Sequence, residues 1–435
     1  MICLTNLPTI KSRVTTASVL SNAENGRQVS KIDMTRSGWK KRIIFFLISQ
    51  NLSLFGSSVV AYAVFWHITL ETSSGVWMMF YTVCALLPQV FISLFGGVWA
   101  DRYNRKYLIM LADGFIALAT LALAISFLLG FRRLELLLIA SMIRSLGTGI
   151  QMPAVSAIYP QLVPEEQLTK IQGINQSLGS VLMLLSPAAG GILLSTVGIV
   201  WAFFVDVITA ALAILVMSRI RVERMPIVGA AKSVWKDISD GIAYTFTHDR
   251  LRRLVICCLF SFLLITPAAV LTPLMIKRTF GNEVWRLTAN ELVWASASIL
   301  GGIFVSLKGQ FRDKARTVAV CTVAFGVLFG LLGISWNFVS YLVFMGAAGF
   351  FMPVIGTAQT VYIQEIASPD VLGRVFSVVQ LITGSAMPVA ILFFGPLADI
   401  VKIETILLIS GTLLALAGFL YGLSEKREGF NARQR

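Results

Sequence analysis

Asp206 stands in Phe203-Phe204-Val205-Asp206-Val207-Ile208 and is the most deeply set carboxylate of the chain. Arg144 is the one cation set well inside a long apolar run, about ten residues from its nearer end. An arginine within a membrane-spanning helix costs at least ~2.5 kcal/mol, so it faces a polar interior and meets a carboxylate or carbonyls. Asp206 is the partner the sequence offers. Asp113 lies about a turn and a half into another apolar run, where a carrier role and a structural role stand level. Glu291 opens a further run and reads as an interfacial residue at a helix N-terminus. Ionisable groups at such depth mark ion pathways and proton relays. The expected chemistry is therefore reversible protonation, centred on Asp206 with Arg144 and Asp113. Covalent catalysis finds no support: H-E-x-x-H, G-x-S-x-G and the P-loop pattern are all missing, so neither an enzyme nor an ATP-driven pump is expected.

A second cluster is a compact charged turn, Gly97-Val98-Trp99-Ala100-Asp101-Arg102-Tyr103-Asn104-Arg105-Lys106, between two long apolar runs. Gly97 suits a close helix approach, and Asn104 tolerates a tight turn. The charge of Asp101 suits the positive N-terminal end of a neighbouring helix. Arg102, Arg105 and Lys106 supply positive charge at one membrane face. The turn reads either as a latch between helices or as a solvated turn anchored by its cations. Topology alone does not require the aspartate.

The elements that position these groups follow from hydropathy. The chain has 435 residues, of which 56% are hydrophobic and 13% charged. Soluble chains average about 25% charged, so this one has too little polar surface to stay dissolved. The apolar runs are long and continuous rather than alternating, which selects helices over a β-barrel. Twelve spans are expected: 43–70, 75–99, 107–129, 135–159, 172–196, 200–217, 254–276, 291–307, 317–335, 339–363, 375–398 and 405–423. Five cysteines without a C-x-x-C pair read as packing residues rather than as a disulfide or zinc framework. No metal or other cofactor is expected.

The net charge of +14 is a topological signal, not a nucleic-acid one. With the amino terminus inside, 29 of the 36 Lys and Arg residues fall on that side and six on the other. Both termini are thus expected in the cytoplasm and the protein in the cytoplasmic (inner) membrane. Segment 1–42 is a cytoplasmic tail, 43–217 a first six-helix bundle, 218–253 a basic central loop, 254–423 a second bundle and 424–435 a cytoplasmic tail. Residues 1–33 lack the apolar core of a signal peptide. Either they are disordered, or Met34 is the true start. The chain also repeats itself. Tyr159-Pro160-Gln161 with 165–170 matches Tyr362-Ile363-Gln364 with 369–374, and Pro187 matches Pro388 one span later. The fold class is an all-α polytopic membrane protein of two pseudo-symmetric six-helix bundles, related by an axis along the membrane normal.

The 97–106 segment resembles motif A of the major facilitator superfamily, with Trp99 in place of Leu and Asn104 in place of the second Gly. The resemblance implies that Asp101 latches onto the eleventh helix, near Arg374. Arg144-Ser145-Leu146-Gly147-Thr148-Gly149 resembles motif B of proton-coupled members. Ser186, Pro187, Gly190 and Gly191, with Gly173 and Gly179, resemble the antiporter-associated motif C, and imply tight packing of the fifth helix on the eighth. Leu162-Val163-Pro164-Glu165-Glu166-Gln167-Leu168-Thr169-Lys170, with Gly373-Arg374-Val375-Phe376-Ser377 and Ala386-Met387-Pro388, is similar to the macrolide efflux proteins of that superfamily. The likeness implies proton-driven export of a drug-like amphiphile by alternating access. Relatives that move siderophores or lysophospholipids leave the substrate open.

The transport path should lie between the bundles near the midplane. Gln50, Asn51, Gln151, Gln176, Gln359 and Gln380, with Asn175, are its polar candidates, and Tyr62, Trp66, Phe350 and Phe351 its adaptable apolar wall. The expected partners are a small-molecule substrate, protons and the lipid bilayer, with no nucleic acid, for a protein acting as a monomer.

Overall fold

The computed structural model describes residues 38–222, 234–368 and 371–434. Residues 1–37 of the amino-terminal tail, with the proposed start at Met34, lie outside the described residues, and its remainder enters α1 at Trp39. Among the described residues, twelve helical segments are long and apolar enough to cross a membrane. In the first half they are α1 (Trp39–Thr72), α2 (Gly75–Arg102), α3 (Arg105–Leu128), α4 (Leu134–Leu162), α5 (Leu168–Thr196) and α6 (Ile199–Ser218). A further helix, α7 (Val234–Thr247), lies within the central connection and packs on the eleventh span. The second half comprises α8 (Asp249–Val270) and α9 (Thr272–Thr279), which share one span, then α10 (Val284–Lys308), α11 (Lys314–Leu332), α12 (Phe338–Ile366), α13 (Leu372–Ile400) and α14 (Ile403–Gln434). Pro267 and Pro273 flank the break between α8 and α9, where the missing N–H groups interrupt the helical ladder.

The duplication is visible in the packing. In the first bundle α1 packs on α5 and α6, α2 on α4, and α3 on α4 and α6. In the second, α8 packs on α13 and α14, α10 on α12, and α11 on α12 and α14. Each pairing recurs six spans later. The bundles meet through α2 on α13 and α5 on α10, two contacts that the same symmetry exchanges.

Twelve crossings return the chain to the end at which it begins, so Trp39 and Lys426 share one end of the molecule, termed here the near end. Where glycine lets the two bundles approach closely, it does so at the far end. A Cβ on Gly75 would overlap Gly395 of α13, and one on Gly191 would overlap Thr288 of α10. At the near end the bundles part: Gln172, Gly173, Ile174, Gln176, Ser177 and Leu178 of α5 are exposed, as are Gly373, Ser377 and Gln380 of α13. The structure is closed at its far end and open at its near end.

Two helix starts lie five or more residues from the sequence expectation. The eighth span begins at Val284 rather than 291, because Arg286 is accommodated at the helix start by Glu283 (2.8 Å) and the Trp285 ring. Glu291 therefore lies two turns inside α10, not at its N-terminus. The seventh span begins at Asp249 rather than 254.

Candidate functional site

One helix organises the interior of the first bundle. Ser49, Ser53 and Ser57 recur at four-residue spacing on α1, so they form one row along the helix. Each hydroxyl reaches a different target. Ser49 donates to the Ala213 carbonyl (2.8 Å), Ser53 to Asp113 Oδ1 (2.6 Å) and Ser57 to Asp206 Oδ1 (3.0 Å). Gly56, on the same helix, makes this closeness possible, since a Cβ there would lie 2.9 Å from the Asp206 Cα.

Asp206 on α6 is 1% exposed and forms an ion pair with Arg144 of α4. Thr120 of α3 sits between them: it accepts from Arg144 and donates to Asp206 Oδ2 (2.8 Å). Arg144 Nη2 also donates to the Ser57 carbonyl (3.2 Å). The pair thus draws on four helices and satisfies most of its own hydrogen-bonding groups, as a desolvated ion pair must. Asp113 of α3, also 1% exposed, sits one step along the serine row. Its Oδ1 accepts from Ser53 and from Gln151 Nε2 (2.7 Å), and its Oδ2 meets no partner among the described residues. The structure therefore brings Asp206, Arg144, Asp113 and Gln151 into one buried polar ladder.

The other amides disperse. Gln50 is buried, with Nε2 unpartnered among the described residues, and Asn51 donates back to the Leu47 carbonyl of its own helix (2.8 Å). Gln176 and Gln380 are exposed on the near-end stretches of α5 and α13, and Gln359 is half-buried on α12.

Sequence reasoning placed Glu291 at an interface with water, but it sits between the bundles. Asn290 Nδ2 donates to its Oε1 (3.2 Å), and Tyr62 of α1 donates to its Oε2 at a long 3.5 Å. Tyr341 in turn donates to Asn290 Oδ1 (2.9 Å). Trp66, fully buried beside Tyr62, leaves its Nε1 unpartnered among the described residues. This carboxylate makes no ion pair among the described residues and lies at the closed, far-end roof of the inter-bundle cleft. The signal that could have found it is the pair Asn290-Glu291, polar residues too far past Arg286 for a loop.

The charged turn is held from behind. Asn104 caps α3 by accepting from the Lys106 N–H (3.0 Å). Arg105 donates to the carbonyls of Ala100 (3.0 Å) and Ala157 (2.7 Å), and Lys106 to those of Ser218 (2.8 Å) and Ile220 (2.7 Å). Cations on the last carbonyls of α6 match its negative end. Arg102 is exposed. The Asp101 side chain lies outside the described residues, so the expected latch does too. Gly97 departs from expectation: a Cβ there would meet nothing within 4 Å, whereas its neighbour Gly96 faces the Gly149 carbonyl at 2.6 Å. With the near end open, nothing packs on Gly97. On α5, Ser186 is buried, its hydroxyl without a partner among the described residues, Gly190 abuts Val59 and Tyr62, and Gly191 lets Thr288 of α10 approach.

A latch unmarked in the sequence lies at the far end. Asp399, near the end of α13, accepts from Ser74 Oγ (2.7 Å) and from the backbone N–H groups of Gly75 (2.7 Å) and Val76 (3.1 Å). It thereby caps α2 across the bundle boundary, where a helix N-terminus favours an anion. Arg278 binds the same carboxylate (2.9 Å) and the Ala398 (2.6 Å) and Ser73 (2.5 Å) carbonyls. Lys277 donates to the carbonyls of Thr69 (3.2 Å) and Leu70 at the end of α1.

Residues 46–391 match the sequence profile of the Major Facilitator Superfamily. The chain belongs to that superfamily. Among its relatives, Macrolide efflux protein A of Streptococcus pyogenes is 28% identical over 87% of this chain and 94% of its own length. The multidrug efflux pump Tap of Mycobacterium bovis is 24% identical over 83% of this chain and 86% of its own. A solved bacterial homologue of the iron transporter ferroportin, in an inward-facing state, superposes with a TM-score of 0.70 at 15% identity, over 89% of this chain and all of that one. That similarity shows the fold: the superfamily's twelve helices in two bundles. This member of the superfamily is a multi-pass membrane transporter, with efflux pumps among its relatives.

Proposed function

We propose that the protein exports a small amphiphilic molecule, drug- or macrolide-like, across the cytoplasmic membrane by proton antiport with alternating access. The observation that carries this reading is the buried ladder of Asp206, Arg144 and Asp113 inside the first bundle. It is a titratable assembly away from bulk water, and a carrier that exchanges a proton for a solute needs one. Protonation of Asp206 cancels its attraction for Arg144 and frees Ser57 and Thr120, so it loosens α1, α3, α4 and α6 together. The near end then corresponds to the cytoplasm, as the distribution of Lys and Arg argues. Substrate enters the open cleft between α5 and α13 and meets Glu291 and Tyr62 at its roof. A carboxylate beside aromatic rings favours a substrate carrying a basic amine. One proton moving inward supplies about 2.3 kcal/mol per 100 mV, about a fiftyfold concentration ratio.

Everted vesicles supplied with a labelled macrolide or cationic dye in the outside medium test this. Uptake should need an imposed proton gradient and collapse with a protonophore. Uptake that ignores the protonophore would refute antiport, and no uptake of any amphiphile in a broad panel would refute the substrate class.

A further inference from the structure

α11 and α14 pack through small residues. A Cβ on Gly418 would lie 2.9 Å from the Val323 nitrogen, and one on Gly422 would lie 3.1 Å from the Ala319 Cβ. Towards the near end this seam opens into a groove of about 820 Å³, within the roughly 300–1,000 Å³ that small ligands fill. Its walls are apolar: Ala319, Val320, Val323, Phe419 and Leu423. Val320, Phe419 and Leu423 are exposed, so the walls run out onto the apolar surface of the bundle. The rim is basic, with Arg250, Arg316 and Lys426 all exposed.

Two carboxylates also border the groove, and both are engaged. Asp313 caps α11 by accepting from the Arg316 N–H (2.9 Å). Glu425 accepts from Tyr362 (3.0 Å) and Arg253 (3.3 Å). At the equivalent place in the first bundle, between α3 and α6, Lys106 donates to the Ser218 and Ile220 carbonyls and ties the two helix ends together.

We propose that this groove seats an anionic phospholipid from the leaflet at the near end. Its phosphate rests among Arg250, Arg316 and Lys426, and an acyl chain lies against the apolar walls. An apolar channel open sideways to the bilayer with a cationic rim at headgroup level matches that chemistry, and basic pockets between spans bind acidic headgroups. A free phosphate would leave the apolar walls without an occupant. The lipid would bridge α8, α11 and α14, and so brace the near end of the second bundle where it stands open. The inference does not depend on what the protein transports.

The test uses the full-length protein in nanodiscs of phosphatidylcholine with or without phosphatidylglycerol. Photo-crosslinkable phosphatidylglycerol should label peptides within 315–323 and 418–426 in preference to matched phosphatidylcholine. Thermal unfolding should move upward when phosphatidylglycerol is present. Arg316→Gln with Lys426→Gln should weaken the preference about fivefold for each charge removed, and Val320→Trp should block labelling in the groove. Unfolding in phosphatidylcholine alone shows whether each variant folds, and the wild-type labelling map stands whether or not they do. Equal labelling by the two lipids, labelling elsewhere, or full competition by soluble glycerol phosphate would each overturn the proposal.

Discussion

Asp206 and Arg144 show what burial does to a charge. Each is tolerable because the other is present, so removing one leaves a desolvated charge alone, at a cost of about 3–5 kcal/mol. Asp206→Asn and Arg144→Gln should each lower the unfolding midpoint of purified protein strongly, while the double substitution recovers most of the loss. Additive losses would mean that the two side chains do not act as a pair. Stability and coupling should separate: the recovered double variant should still fail to exchange protons for substrate in vesicles. Asp113 differs, because among the described residues it accepts from Ser53 and Gln151 alone, both at Oδ1. The oxygen of a side-chain amide at that position keeps both bonds, so Asp113→Asn should cost no more than about 1 kcal/mol, the scale of one hydrogen bond. The positions of these residues were readable from the sequence because lipid tolerates no casual charge. Glu291 was misplaced because a helix start was set at the carboxylate, when the helix in fact reaches back to Val284.

At the scale of elements, the far-end latch decides which side is shut. Asp399 supplies the cap that Ser74 does not give its own helix. Asp399→Ala should therefore uncap α2 and release Arg278, shifting the population toward far-end opening. A cysteine introduced at Thr288 should then react faster with a membrane-impermeant thiol reagent added from the far side, against an otherwise cysteine-free background. An unchanged rate would show that glycine packing alone holds the closure. That packing has its own test: Gly75→Val forces a branched side chain into Gly395 and should speed labelling at the same position, whereas Gly97→Ala should not, since open space surrounds it. The sequence marked the 97–106 turn as the likeness to a latch, but gave no comparable sign at Asp399. A lone aspartate at the end of a span looks like any interfacial residue until its partner helix is known.

For the whole molecule, twelve crossings require an even topology. Reporters fused at residues 38 and 426 should both be active on the cytoplasmic face, and one at 281 on the opposite face. Opposite locations for the two ends would undo the twelve-span reading and the antiport proposal with it. Hydropathy determined the membrane class, the number of spans and the depth of Asp113, Arg144 and Asp206, and the recurrence of the Tyr159 segment at Tyr362 marked the duplication. Lipid acts on each segment by its own composition, so that information is local and needs no partner. The tertiary structure alone decided that Ser53 and Ser57 serve two different carboxylates, that Glu291 looks across to Tyr62, and that Asp399 closes the far end on α2. It also decided that the α11–α14 seam opens into a groove, while at the counterpart Lys106 ties α3 to the carbonyls at the end of α6. Those outcomes depend on how each helix is rotated and which neighbour it meets, and that is set by side-chain packing among helices far apart in the chain.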